Sequence, residues 1–266
     1  MASEVILYGP DSEAYNMYSI VSPAPGAPSN SADRPGAPAY RFVRPLGTQL
    51  VLQDGRKFRF AMGGGTLVVG NMLTAGVATA SQQNLSAATG AVGDRIITLT
   101  TGASTAQNVF AEGFVAVSVT PGLGDCYKIA SHLVMTSGAG DILNLWPGHA
   151  LRRALTSVTS KLDLTDNIFS RVIQSPATTV ASAPVGGCVS LLTTSLSGWI
   201  QTRGVFCGLT SGTAIAGDSV STGLGTAGAL GPIGDNTQDT SPAGLAWCIF
   251  AAASGAGSTF YLTIDG

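Results

Sequence analysis

The chain has 266 residues, a formal net charge of −2 and 11% charged residues, against roughly 25% in an average soluble domain. Its near-neutral charge gives no electrostatic footprint for nucleic acid, and its longest apolar runs, such as 245–253, are about half of the roughly 20 residues that a membrane-spanning helix needs. We therefore expect no direct nucleic-acid binding, no membrane span, and a surface that uncharged polar groups solvate and a partner covers in part.

The N-terminal residues 1–46 differ in composition from the rest of the chain. They contain seven of the thirteen prolines and four of the six tyrosines, and prolines at this density favour an extended chain over a helix or a central strand. We predict an extended arm that either reaches a neighbouring subunit through Tyr8, Tyr15 and Tyr18 or folds back on its own domain. The first residues lack the basic start and apolar core of a signal peptide, so we expect synthesis in a host cytoplasm and no secretion by that route.

From Thr48 onward the sequence predicts short strands. Asp54-Gly55 lies between the strand-like runs 49–53 and 56–62, and Asp-Gly between alternating strands is a good hairpin signal. Runs rich in β-branched and apolar residues predict further strands at 95–100, 113–120, 126–130, 141–146, 172–174, 189–192, 199–206, 244–250 and 260–264. Two exceptions stand out: 150–155 is the only plausible helical turn, and the Gly-rich segment 223–242 is predicted to be an exposed loop.

One stretch of the chain recurs. Gly65–Gly76 and Gly212–Gly223 align without gaps, sharing Gly, Thr, Gly and Gly at the first, second, sixth and twelfth positions. Each copy predicts a short strand, a tight turn at Gly-Asn or Gly-Asp, and a second strand. The sequence thus predicts an all-β fold with an arm at 1–46 and two related modules at 47–176 and 177–266, each a small β-barrel, β-tulip or sandwich.

Titratable residues show no pattern typical of a metal or cofactor site. The cysteines are widely spaced, which favours four small buried side chains kept reduced: Cys126, Cys188, Cys207 and Cys248. His132 and His149 have no partner at ligand spacing, so a structural or surface role is favoured. We expect no metal and no cofactor.

Catalytic motifs are also incomplete. Gly217-Asp218-Ser219 is similar to the surroundings of a serine nucleophile, but the following glycine of a trypsin-like oxyanion loop is missing, and the chain has no Gly-x-Ser-x-Gly elbow. Gly63-Gly64-Gly65 lacks the lysine of a phosphate-binding Walker loop. We expect a protein that is not an enzyme; a hydrolase that uses Ser219 remains a weaker alternative.

Several segments together resemble a known family. The first is the basic and aromatic strand before Gly63-Gly64-Gly65-Thr66, with the Gly-Asn turn that follows. The second is the strand 114–120, followed by Pro-Gly and Tyr127-Lys128-Ile129. The others are Gly198-Trp199-Ile200-Gln201-Thr202 with its Ala-Gly-Asp turn, and Leu262-Thr263-Ile264-Asp265. From about Val51 to Asp265 the chain is similar to head-associated proteins encoded beside the major capsid gene of tailed bacteriophages, in the style of capsid decoration (cement) proteins with small β-tulip or β-barrel domains. The arm departs from the compact members of that family.

The resemblance implies a virion structural protein without catalysis. It would bind the outside of a phage capsid, contact the major capsid protein and copies of itself in a homotrimer, and resist internal pressure. Beside the arm tyrosines, the densest basic cluster could meet an acidic capsid surface or be a solvated strand face: Arg41, Arg44, Arg56, Lys57 and Arg59.

Two further alternatives remain at this point. A phage tail, fibre or surface adhesin component would expose aromatic residues on the segment 223–242, which contains none. A major shell-forming protein would need a long amphipathic spine helix, and no candidate of even roughly 15 residues occurs.

Overall fold

The structure is a computed structural model, and it describes residues 6–9, 45–178, 182–222, 225–233 and 245–265. Its regular elements are strands and a single 3₁₀ turn at Ala80–Gln82, so the predicted all-β class is confirmed for these residues. In chain order the strands are β1 Ile6–Gly9, β2 Gln49–Leu52, β3 Lys57–Met62, β4 Met72–Thr74, β5 Leu85–Ala87, β6 Ile96–Thr100, β7 Phe114–Val119, β8 Cys126–His132, β9 Gly140–Leu145, β10 Lys161–Thr165, β11 Ile173–Gln174, β12 Pro184–Cys188, β13 Ser197–Leu209, β14 Ser219–Thr222, β15 Leu230–Pro232, β16 Ala246–Cys248 and β17 Gly257–Thr263.

These strands form two compact units whose limits differ from the predicted modules. Residues 78–167 make the first unit, and the described residues before 78 and after 167 make the second. The predicted boundary between 176 and 177 does not separate them, because β3 and β4 pair with β13 and β12 from beyond the first unit. Such long-range pairing leaves no mark on local sequence. The predicted arm lies almost entirely outside the described residues.

The first unit is a closed six-stranded barrel with the strand order β10-β5-β6-β9-β8-β7. Its strands alternate between core and solvent, most regularly in β9, where every second residue is buried. The barrel interior is filled by large apolar side chains, including Ile97, Leu99, Val115, Ile129, Leu143 and Leu162. It is therefore a packed core of the kind expected for a small barrel.

The second unit is an 11-stranded sheet that curls into a half-barrel. The long strand β13 runs through its middle: its first part pairs with β3 and its second part with β17. At the junction Gly204 has a φ of +91°, and a Cβ there would lie 2.7 Å from Cγ of Arg56. Glycine is therefore required where one half of β13 passes into the other.

The curled sheet is an internal duplication. The first repeat comprises β3, β4, β11, β12 and residues 197–203 of β13; the second comprises residues 204–209 of β13, then β14, β15, β16 and β17. Four register pairs of the first repeat each have a counterpart in the second. Ser197–Met62 corresponds to Gly257–Leu209, and Met72–Gly187 corresponds to Ser219–Trp247. Cys188–Ile200 corresponds to Cys248–Phe260, and Thr74–Ile173 corresponds to Ser221–Gly231. A parallel bridge ends each repeat in the same way, Gly63 with Val172 and Thr210 with Leu230.

This duplication explains why the two Gly-Thr stretches are similar, but not by two separate modules as the sequence predicted. The two Gly-Thr stretches do belong to related β structures, but both lie within the second unit. The barrel occupies the connection between β4 and β11 of the first repeat, where the second repeat has only the short connection between β14 and β15. The barrel is thus an insertion into a duplicated sheet.

Two local predictions were wrong. Residues 150–155 form no helical turn; they cross another segment of the barrel through a bridge at Leu155. Of the predicted exposed loop 223–242, only 225–233 are among the described residues, and they contain β15, whose Leu230 is fully buried. Predicted strands elsewhere agree with the observed ones, with two kinds of exception. Residues 189–192 lie just beyond β12, and the first predicted strand of each recurring stretch is reduced to an isolated bridge, at Leu67 and at Ala214.

Candidate interaction surface

Most of the predicted contact residues of the arm lie outside the described residues. They are Tyr15, Tyr18, Arg41 and Arg44. Tyr8 lies in β1, which pairs in parallel with β2 at the edge of the curled sheet, and its side chain is not among those described. Its predicted contact with a neighbouring subunit stays a prediction.

Three residues of the predicted basic cluster are described, and they differ in their contacts. Nε of Arg56 donates to Asp54 across 2.6 Å at the β2–β3 turn. Lys57 and Arg59 follow on β3, and Arg59 is largely buried. The contact of this cluster with an acidic capsid surface stays a prediction.

Arg59 instead fastens the C-terminal end of the chain to the sheet. Its Nε lies 2.7 Å from Oδ2 of Asp265, and its Nη1 donates to the carbonyl oxygen of Gly47 at 2.9 Å. The hydroxyl of Thr202 donates to the same carboxylate at 2.9 Å. Burial alone would raise the pKa of Asp265, but the hydrogen bonds from Arg59 and Thr202 outweigh it and hold that pKa below its ordinary value.

The histidines are structural, as predicted. His132 is buried in the barrel; its Nε2 accepts from the backbone N–H of Phe110 at 3.0 Å, and its Nδ1 lies 2.7 Å from the carbonyl oxygen of Leu133. This arrangement requires the neutral ring protonated on Nδ1, and burial lowers the pKa of His132 accordingly. His149 accepts from the backbone N–H of Lys128 at 3.2 Å. Because both nitrogens of His132 are engaged, it cannot serve as the base of a Ser219 nucleophile.

The cysteines divide into two kinds. Cys188 and Cys248 are buried and occupy equivalent positions in the two repeats; each thiol donates to a carbonyl two residues on, at 3.0 and 3.1 Å. Burial raises the pKa of Cys188 to about 11. Cys126 and Cys207 are exposed, so the prediction of four buried cysteines was wrong for these two. Within the described ranges, no group of three or more His, Cys, Asp or Glu side chains could hold a metal ion.

Four crossings recur through the two units. At each crossing two segments run antiparallel and are joined by one isolated bridge: Leu67–Leu192, Ala214–Ala252, Gly90–Leu155 and Thr105–Met135. Three residues after each bridge residue the chain has a positive φ, at Gly70, Ser195, Gly217, Gly255, Gly93, Val158, Asn108 and Gly138. Two crossings therefore lie in each unit and share one backbone geometry.

The crossing at Gly90 reveals a third copy of the recurring stretch. The N–H of Ala91 donates to Oδ2 of Asp94 at 2.7 Å, and the N–H of Ile215 donates to Oδ2 of Asp218 at 2.9 Å. The shared signal is a Thr four residues before Gly-Asn or Gly-Asp, at Thr66, Thr89 and Thr213. Sequence reasoning overlooked the copy at Thr89 because its first bridge residue is a glycine.

Each crossing exposes large apolar side chains beside its bridge. We call these residues the apolar tips: Val68, Val69 and Leu191; Ile215 and Phe250; Val92; Leu133 and Val134. They include about two-fifths of the exposed large apolar side chains among the described residues. Scattered apolar residues on a surface need no explanation, but these recur within two residues of a bridge residue at all four crossings. The tips of each unit therefore form a candidate contact surface of that unit.

A second apolar surface lies on the outward face of the second repeat. Val205, Tyr261 and Trp247 are direct neighbours across β13, β17 and β16, and they are 53%, 38% and 53% exposed. Cys207 and Thr259 form the next row on the same side of the sheet. We call these five residues the Trp247 face. At its edge, Val205 and Tyr261 line a cavity of about 330 Å³ together with Asp54, Arg56 and Gly204.

Comparisons with known proteins give no relative for this chain: no family model, no curated protein and no solved structure matches it. Among its described residues, no helix is long and apolar enough to cross a membrane.

Proposed function

We propose that this protein is a virion structural protein that binds the outside of a tailed-phage capsid and stabilises it as a decoration protein, without catalysis. The observation that carries the proposal is the set of apolar tips. They add apolar contact area at repeated positions of a charge-poor chain, and burial of such area drives most protein association.

The mechanism needs no reactive group. A decoration protein gains binding energy by burying its tips against the major capsid protein, and several tips that engage one lattice act together through their high effective concentration. Copies of the chain assembled as a homotrimer would multiply this effect. The arm, through Tyr8, Tyr15 and Tyr18, would add contacts to a neighbouring subunit. The site of action is the virion exterior, and no cofactor takes part.

The test uses purified full-length protein and phage heads that lack it. We expect saturable binding to the heads and a higher temperature for release of the packaged genome when the protein is bound. The double variant Val69→Ser with Phe250→Ser should weaken binding at least about tenfold, because two exposed anchors are lost. The control Ile142→Ser changes a strand residue of the barrel that is 48% exposed, against 55% for Val69 and 65% for Phe250, and that is not a tip. It should bind like the wild type.

Failure of the protein to bind heads would overturn the proposal. Binding to host cells in place of heads would favour the alternative of a tail-fibre or adhesin component. Deletion of residues 1–44 separately tests the arm: binding that survives this deletion unchanged would contradict the predicted arm contacts without affecting the role of the tips.

A further inference from the structure

The internal duplication gives the Trp247 face an equivalent in the first repeat. Trp247 corresponds to Gly187, Tyr261 to Gln201 and Val205 to Phe58, since these residues occupy the same places in the two sets of strand pairs. The same sheet face therefore occurs twice in one chain and can be compared between the two repeats.

In the first repeat this face is a packing surface. Phe58, Gln201 and Met72 are almost fully buried there. Phe206, from the second repeat, covers Gly187 so closely that a Cβ at Gly187 would lie 2.5 Å from its ring. The first repeat thus has a glycine where its face is covered, whereas the second repeat has a half-exposed tryptophan.

The chemistry of the Trp247 face is that of a protein interface. Its two rows contain Val, Tyr, Trp, Cys and Thr, without a charged side chain. Cores of protein interfaces are depleted in charge and enriched in aromatic residues. A sugar site would place amide or carboxylate groups beside the aromatic rings, whereas the five residues of this face have none and the cavity at its edge has one, the carboxylate of Asp54.

We propose that the Trp247 face is the surface through which copies of this chain associate with one another. Its equivalent in the first repeat is already covered by β structure of this same chain, so the occupant it fits is another copy. Two uncharged faces meet without like-charge repulsion. The edge of the face carries a negative and a positive side chain, Asp54 and Arg56, side by side. A closed symmetric contact can therefore pair Asp54 of one copy with Arg56 of the next. This proposal does not depend on the capsid as a partner.

The experiment measures molar mass by light scattering over about a hundredfold range of protein concentration, since self-association must depend on concentration. We expect the wild type to form a closed oligomer. Trp247→Ser and Tyr261→Ser should each weaken association at least about tenfold, because central aromatic residues dominate interface energies. Ile142→Ser, which is similarly exposed on a strand of the barrel, should associate like the wild type. A monomeric wild type at every concentration would overturn the proposal.

A second readout needs no change to the face. Cys207 belongs to the Trp247 face and is exposed in the isolated chain, so a maleimide should label it slowly in the oligomer and faster on dilution. The measurement uses the Cys126→Ser background, which removes the other exposed thiol. Labelling of Cys207 at a rate independent of concentration would contradict the proposal. If the wild type is monomeric and Trp247→Ser abolishes binding to heads, the face contacts the capsid, which overturns self-association but supports the proposed function.

Discussion

At the scale of single residues, the covered face of the first repeat should not tolerate a larger side chain at Gly187. Gly187→Ala places a methyl group into the ring of Phe206, and such overpacking costs about 1–3 kcal/mol. Gly65→Ala is the matched control, because a Cβ there meets nothing within 4 Å. Urea unfolding should show a lower midpoint for Gly187→Ala and an unchanged midpoint for Gly65→Ala. Equal midpoints for the two variants would mean that Phe206 does not cover Gly187.

Val158 carries backbone strain that a smaller residue would relieve. Its φ is +56°, a conformation unfavourable for a β-branched residue, and the equivalent positions of the other crossings hold Ser195, Gly138 and Gly255. Its side chain is exposed, so little packing is lost on truncation. Val158→Gly should raise the free energy of unfolding by about 1 kcal/mol.

The control for this prediction is the same change in a relaxed strand. Val119 is an exposed residue of β7, where glycine has no conformational advantage, and Val119→Gly should be destabilising. Thermal unfolding monitored by circular dichroism separates the two. A lower midpoint for Val158→Gly would argue against strain at this crossing.

At the scale of elements, the Arg59–Asp265 pair fixes the end of the chain to β3. Asp265→Asn leaves the guanidinium of Arg59 without its carboxylate in a site where both side chains are about four-fifths buried, and we expect a loss of about 1–3 kcal/mol. The more exposed Arg56–Asp54 pair at the β2–β3 turn serves as the control, and Asp54→Asn should cost less than about 1 kcal/mol. Chemical unfolding at neutral pH measures both.

The same pair predicts an acid dependence. The pKa of Asp265 in the folded chain is lower than the ordinary value of 3.8, so the folded state binds fewer protons than the unfolded state as this group titrates. Its contribution to stability is fully present above about pH 4 and is lost as the pH falls through the folded pKa. Asp265→Asn should flatten the decline of stability in this range. An unchanged decline would show that Asp265 is not responsible for it.

How far the sequence could predict these elements depended on how local their causes are. The β2–β3 hairpin was predictable because Asp54-Gly55 sets its turn, and the Gly70 and Gly217 turns because glycine is needed at positive φ. The crossing at Leu155 was not predictable. Leu151 and Leu155 are four residues apart, which is also the spacing of one face of a helix. Here the two residues instead make backbone hydrogen bonds to another segment of the barrel, Leu151 to Asp94 and Leu155 to Gly90. The candidate surfaces were missed for the same reason, since the exposure of Trp247 and the tips follows from long-range pairing.

At the scale of the whole molecule, the duplication predicts that the barrel can be removed. Joining Val77 directly to Ile168 leaves residues 75–77 and 168–172, eight in all, between Thr74 and Ile173, where the second repeat uses residues 222–230, nine in all, between Ser221 and Gly231. The two ends already lie together, since a Cβ at Gly76 would be 3.1 Å from the carbonyl oxygen of Arg171. The shortened chain should therefore retain the sheet.

We expect the chain without residues 78–167 to show a β-type circular dichroism spectrum and a cooperative unfolding transition. The excised segment has its own closed strand order and its own core, so expressed alone it should unfold in a separate cooperative transition. If the isolated barrel folds but the shortened chain does not, the first repeat depends on the barrel for its stability. The barrel would then be an insertion in topology only. If both pieces fold, head binding measured on each tells which pair of crossings carries the contact, because two crossings remain in each piece.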